Sequence, residues 1–242
     1  LANPLVPHIG FALLKGAPGT SYTFETARKE VCLVTLSGTW CVEVGAERIR
    51  CARRSVFAEK PTALYLPSST VFRITAEQEG ELAFCESEGS DKKKLIFITP
   101  TEVAERRIGH ENCRRTAYDI LHKDLDANAL LVGETISEPG HWSSFPPHKH
   151  DTDNEPHETA LEELYFFKLQ PKEGYGMQRI YTDDRSLDQV FLVEDGSVSF
   201  IPRGYHPVVT APGCAHYYLW VLAGRRRLLT PWFEPFWNPM KR

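Results

Sequence analysis

Ile201-Pro202-Arg203-Gly204-Tyr205-His206-Pro207-Val208-Val209-Thr210-Ala211 aligns without gaps to Leu66-Pro67-Ser68-Ser69-Thr70-Val71-Phe72-Arg73-Ile74-Thr75-Ala76. The shared frame is an apolar residue, a proline, and a Thr-Ala pair at identical spacing. Both segments sit late in their halves and follow similar strand–turn patterns, so the chain reads as two related β modules. In this frame His206 falls opposite Val71. No histidine lies between His8 and His110, so a three-histidine site can be built only in the second module. The first module is then a scaffold, an interface or a lid.

Working outward, strand signals dominate both halves. Val31–Leu36, Thr39–Val44, Ala63–Leu66 and Val71–Ile74 are short and rich in β-branched or aromatic residues, with Gly38, Gly45, Pro67 and Gly80 as punctuation. Leu164–Leu169, Gln178–Tyr181, Val198–Ile201 and Tyr217–Leu222 repeat the style. Helical periodicity is scarce. Pro100–Glu105 has the flavour of a helix start, with Thr101 as N-cap, and is expected to link the halves. The expected modules are 1–100, without metal ligands, and 101–242, ending in an aromatic arm.

The 242 residues are enough for a substantial core, and 42% hydrophobic with 25% charged residues is ordinary for a globular protein. A net charge of -4 argues against a phosphate-backbone grip. The basic runs Lys92-Lys93-Lys94 and Arg225-Arg226-Arg227 read as solvated loops. No apolar run approaches the ~20 residues that span a bilayer. Leu1 is not an initiator methionine, so the natural start is expected to be missing. Six dispersed cysteines without a CxxC pair suggest reduced, buried thiols and a cytoplasmic protein. Nucleic acid and membrane are therefore not expected partners.

The chemistry concentrates in Pro146-Pro147-His148-Lys149-His150-Asp151. The prolines favour extended backbone, where residues i and i+2 share a face. His148 and His150 thus point the same way, and His206 lies in a rigid Pro/Gly turn. Three imidazoles with one carboxylate make a ligand set for a divalent transition metal. The carboxylate is open among Glu155, Glu158, Glu162 and Glu163. Strand alternation separates Glu162 from Glu163 without choosing between them.

Gly140–Asp151, Leu161–Phe167, Gln178–Tyr181, Pro202–Pro207 and Tyr217–Leu219 together resemble the bicupin family that holds the 5-deoxy-glucuronate isomerases and the 4-deoxy-threo-hexosulose-uronate ketol-isomerases. The resemblance is specific over about residues 130–225 and looser before them. It implies an all-β bicupin with the metal in the second barrel, and it selects Glu163, two residues before the Tyr165-Phe166 aromatic pair. The implied metal quartet is His148, His150, Glu163 and His206. His141 stands where the family pattern has Asn, and it reads as a loop or supporting residue; His157 reads as exposed.

The implied reaction is the aldose–ketose isomerisation of 5-deoxy-D-glucuronate to 5-dehydro-2-deoxy-D-gluconate in myo-inositol catabolism. Its metal is Zn first, with Mn, Fe, Co or Ni as alternatives, since no redox change is required. Tyr218, Glu162 and Glu158 are the candidates for proton transfer. Arg179 is the first candidate for the substrate carboxylate, with Lys149 and Arg203 as alternatives, and Gln178 for a substrate hydroxyl. Tyr165 and Tyr217 read as core or rim aromatics. The aromatic run Pro231–Pro239 is expected to cover its own barrel or a neighbour's, with a subunit contact, and so a homo-oligomer, favoured. Competing functions are a related uronate ketol-isomerase, a cupin dioxygenase, and a sugar-binding regulator.

Overall fold

The computed structural model describes residues 2–89 and 93–240, so Lys92 of the first basic run lies outside the described residues. Strands account for nearly all the regular structure, and the helical pieces among the described residues are 3-10 turns at Glu111–Cys113 and Pro235–Met240. The expected helix near Thr101 does not form. Instead the Glu102 carboxylate accepts the Thr99 N–H at 2.9 Å and the Thr99 hydroxyl at 2.6 Å, closing a turn. Ala104–Ile108 then continues as a strand.

Two compact units emerge: Leu1–Asn3, Pro7–Ala104 and Tyr118–Val132 in one, and Pro4–Val6, Glu105–Ala117 and Gly133–Arg242 in the other. In the first, two long strands, Lys29–Val44 and Val71–Glu88, pair antiparallel and carry the sheet. The punctuation expected at Gly38 and Gly80 is a bend inside continuous strands. A Cβ on Gly38 would lie 2.5 Å from the Glu79 carbonyl oxygen, and one on Gly80 would lie 2.2 Å from that of Ser37. Only glycine permits this close backbone approach. Inside, Trp40, Leu64, Leu66, Phe72, Ile74 and Phe84 pack into one buried core.

In the second unit, one sheet places Val198–Ile201, Glu162–Gln170, Ala215–Ala223 and Leu131–Ser137 side by side. A four-stranded sheet runs Trp142–Ser143, Val208–Thr210, Gly176–Tyr181, Asp188–Val193. Tyr165, Phe167, Ile180, Ile201, Val208 and Tyr218 pack together as its core. Burying each such side chain contributes about 1.5–3 kcal/mol, which makes this face rigid enough to aim polar groups.

The repeat keeps its frame in three dimensions. Leu66 and Ile201 each end a strand. Four residues into the frame, Ser69 (φ 60°) and Gly204 (φ 89°) both take the left-handed conformation. The C-terminal arm lies on this chain's own barrel: Trp232–Phe233 pairs with His148–Lys149. The Glu234 N–H donates to the Pro147 carbonyl at 2.9 Å, and the Trp237 ring sits 5.2 Å from Phe145.

Candidate metal centre

Alternation along His148-Lys149-His150 sends the two imidazoles to one side and Lys149 to the other. His206 arrives from the turn after Val198–Ile201, and Glu163 from the strand Glu162–Gln170. Glu163 is buried with Tyr165 and Phe167 on the same face, whereas Glu162 is half-exposed. The fold thus brings Glu163, and not Glu162, to the histidines. His148, His150 and His206 each present a nitrogen within 4.8 Å of the others.

The ring orientations are set by backbone carbonyls. His150 Nδ1 lies 2.9 Å from the Leu161 carbonyl oxygen, and His206 Nδ1 lies 2.9 Å from that of Gly204. Each Nδ1 therefore carries the proton, which leaves Nε2 with its lone pair in the neutral ring. Both Nε2 atoms sit 3.1 Å from the same oxygen, Glu163 Oε2. Lone pairs crowding a carboxylate repel unless positive charge lies among them. His148 adds a buried Nδ1 with no hydrogen-bond partner. This donor set fits a divalent transition metal held by three imidazoles and a carboxylate.

The electrostatics point the same way. Burial alone would raise the Glu163 carboxyl; without a metal, protonated His150 and His206 donating to it outweigh burial and hold it at about 2, supplying the positive charge that a bound cation would otherwise bring. Burial, then repulsion from His206 and His150, pushes the His148 imidazole well below its ordinary value. Burial also pushes the Tyr165 phenol well above its usual value, with Glu163 and Tyr218 adding to the effect.

Behind the cluster lies a hydroxyl chain. Tyr218 OH is 2.7 Å from Ser143 Oγ and 3.4 Å from Ser144 Oγ, and Ser144 Oγ is 2.9 Å from Tyr165 OH. The Tyr165 and Tyr218 rings are 4.3 Å apart, and Tyr165 is 5.8 Å from His206. Gln178 is buried on the inner face, and its Nε2 donates to the His206 carbonyl at 3.3 Å.

Other expected site residues are placed elsewhere. Arg179 follows Gln178 on the strand and so faces outward, where its guanidinium binds both Asp188 oxygens at 2.8 and 2.7 Å and covers the Tyr181 ring. Arg203 is exposed. Lys149 is buried in ion pairs with Asp151 and Glu158, and Glu158 is occupied by Lys149 and two backbone N–H groups. Neither is free to meet substrate. His141 bonds to the Arg114 carbonyl, and His157 is exposed, as the sequence suggested. Sequence reasoning passed over Ser143, Ser144, Asp151 and His216. The alternation His216-x-Tyr218 was the available signal for the last of these.

A family model described as the KduI/IolB family matches residues 2–240. The chain is 40% identical over 220 residues to the 5-deoxy-glucuronate isomerase of Geobacillus kaustophilus, covering 90% of this chain and 80% of that one. It is 41% identical over 231 residues to the Bacillus licheniformis enzyme of the same name, covering 93% and 85%. Among solved structures, an IolB-like protein from Salmonella typhimurium matches with a TM-score of 0.95 at 36% identity, over 97% of this chain and 90% of that one. The oxalate decarboxylase of Lactobacillus farciminis matches with a TM-score of 0.68 at 11% identity, over 99% and 83%, a likeness of fold alone. The all-β bicupin architecture is thus met, and the chain belongs to the KduI/IolB family, as an enzyme of the isomerase class that works by intramolecular oxidation and reduction.

Proposed function

We propose that the protein is a metal-dependent aldose–ketose isomerase that converts 5-deoxy-D-glucuronate to 5-dehydro-2-deoxy-D-gluconate in myo-inositol catabolism. The observation that carries the metal dependence is the convergence of His150 and His206 Nε2 on one Glu163 oxygen, beside His148. The names of the relatives support the substrate. A divalent cation there supplies Lewis-acid polarisation of a substrate carbonyl.

The chain's own residues would do the rest. His148, His150, His206 and Glu163 hold the cation, and the aromatic walls of Tyr165, Phe167 and Phe233 limit water. In the isomerisation a proton leaves C2 and one arrives at C1, while the hydroxyl proton moves from O2 to O1. Of the three proton-transfer candidates, Tyr218 is the one whose hydroxyl lies in the barrel interior, against Ser143 and Ser144. Gln178, whose Nε2 donates to the His206 carbonyl, would orient the His206 turn or a substrate hydroxyl. Buried cysteines, with none of the six in a disulfide, support a cytoplasmic setting.

Elemental analysis combined with an NMR assay of 5-deoxy-glucuronate tests this reading. One equivalent of divalent metal and turnover without oxygen consumption are expected. Oxygen-dependent turnover would favour the dioxygenase class, and turnover by fully metal-free protein would remove the metal from the mechanism.

A further inference from the structure

The Asp151 carboxylate joins the loops that carry His150 and His206. Asp151 follows His150 directly. Its Oδ1 accepts Lys149 Nζ at 2.8 Å and the Thr152 hydroxyl at 2.9 Å, while its Oδ2 accepts the Gly204 N–H at 2.8 Å. Gly204 lies in the turn that presents His206, and its carbonyl oxygen receives His206 Nδ1 at 2.9 Å. One short path therefore runs from His150 through Asp151 and Gly204 to His206.

Neither end of that path can drift. A Cβ on Gly204 would lie 2.5 Å from the Tyr181 carbonyl oxygen, and φ is +89°, so the turn is seated against a strand in a conformation suited to glycine. At the other end, Lys149 Nζ lies 3.1 Å from both Glu158 oxygens, and Glu158 Oε1 accepts the N–H groups of Asp151 at 2.8 Å and Thr152 at 3.1 Å. The side chains of Lys149, Glu158 and Asp151 are only 9%, 5% and 18% exposed.

We propose that Lys149, Asp151 and Glu158 form a positioning cluster for the metal centre, in which Asp151 is the strut that sets the spacing of His150 and His206. This inference rests on the metal-binding part of the function proposed above and concerns affinity, not turnover. It assigns to Lys149 and Glu158 a role distinct from substrate contact or proton transfer.

The test is zinc affinity of the full chain, measured by competition with a chromophoric chelator, with circular dichroism of the metal-free protein as the fold control. Asp151→Asn is expected to weaken zinc binding ~10–100-fold, the range typical when partners of metal ligands are lost, with an unchanged β spectrum. Lys149→Met separates geometry from charge: it makes the cluster more negative, yet affinity is expected to fall because the strut loses its anchor. Should Asp151→Asn not fold without metal, Asp151→Glu decides, since it keeps the charge and displaces the carboxylate; affinity is again expected to fall. Wild-type affinity in the folded Asp151 variants overturns the strut. Zinc binding without isomerase activity in the wild type would remove the substrate reading and leave this inference standing, while no zinc binding at all would remove both.

Discussion

Val71 and His206 occupy the same position of the two repeats, yet Val71 is 59% exposed and His206 is fully buried. In the first module the strand Val71–Glu88 has already begun at this position, whereas in the second the turn runs two residues further, to Val208. The longer turn folds His206 inward. A histidine at position 71 would face solvent, so Val71→His is expected to leave metal content at one equivalent per chain by elemental analysis. A second tightly held equivalent would contradict this geometry.

His206→Ala removes a proposed ligand that also anchors its own turn through Nδ1. We expect loss of bound metal and a fall in activity of at least ~100-fold, since losing a direct ligand should exceed the loss of a partner behind one. The near- and far-ultraviolet circular dichroism should remain that of the wild type. Chelator-treated wild type should behave alike and recover when Zn, Mn or Co is restored. Full activity in a metal-free variant would sink the mechanism.

Arg179→Ala is expected to leave KM within about twofold, because the guanidinium is committed to Asp188 on the outer face. An exposed pair of this kind contributes only about 0.2–1 kcal/mol to stability. A rise in KM for the sugar acid, absent for an analogue without the carboxylate, would return Arg179 to the substrate site.

Glu30 is fully buried and accepts the Tyr65 hydroxyl and the N–H groups of Asn128, Ala129 and Leu130, each at 2.7 Å. Glu30→Gln replaces one acceptor with a donor facing N–H groups, which should cost about 1–3 kcal/mol for each donor left unsatisfied. Tyr65→Phe should cost less, about 0.5–1.5 kcal/mol. Urea denaturation checks both, and a Glu30→Gln midpoint equal to wild type would show that the carboxylate does not hold residues 128–130.

His216 is buried, its Nε2 has no partner, and its Nδ1 is 3.2 Å from the Thr210 hydroxyl. Tyr218 stacks on it, and Arg115 and His141 add positive charge nearby. Burial first, then these charges, lower its pKa to about 3. Because the unfolded imidazole titrates near 6.5, the unfolded chain takes up a proton that the folded one refuses between those values. Stability contributed by neutral His216 is therefore present above about pH 6.5 and lost as pH falls toward 3, by up to about 4–5 kcal/mol. Metal-free His216→Gln should show a shallower loss of stability between pH 6 and 4 than metal-free wild type. Identical slopes would exclude His216 as a source of the acid sensitivity.

Much of the site was legible because its signals are local. His148 and His150 are two residues apart on extended chain, and the Pro/Gly turn around His206 reads directly from Pro202-Arg203-Gly204. Other assignments needed a face, and faces are ambiguous from alternation alone. Gln178 and Arg179 differ only in which side of one strand looks inward, and Arg179 proved to be on the outside. The expected helix at Thr101 failed because a capping pattern can also close a single turn when a strand follows. Lys149 and Glu158 looked like chemistry because charged residues near histidines usually do, but burial and mutual pairing use up their polar atoms.

From the order of residues alone came the two β modules and the confinement of the three histidines to the second, which rest on periodicity and on contacts a few residues long; the family and its quartet came from the resemblance. Only the folded chain decided that Gln178 faces inward and Arg179 outward, and that Asp151 ties His150 to a turn more than fifty residues away. Such choices depend on burial and on hydrogen bonds between distant segments, which strand alternation permits in either sense until the sheets close on their cores.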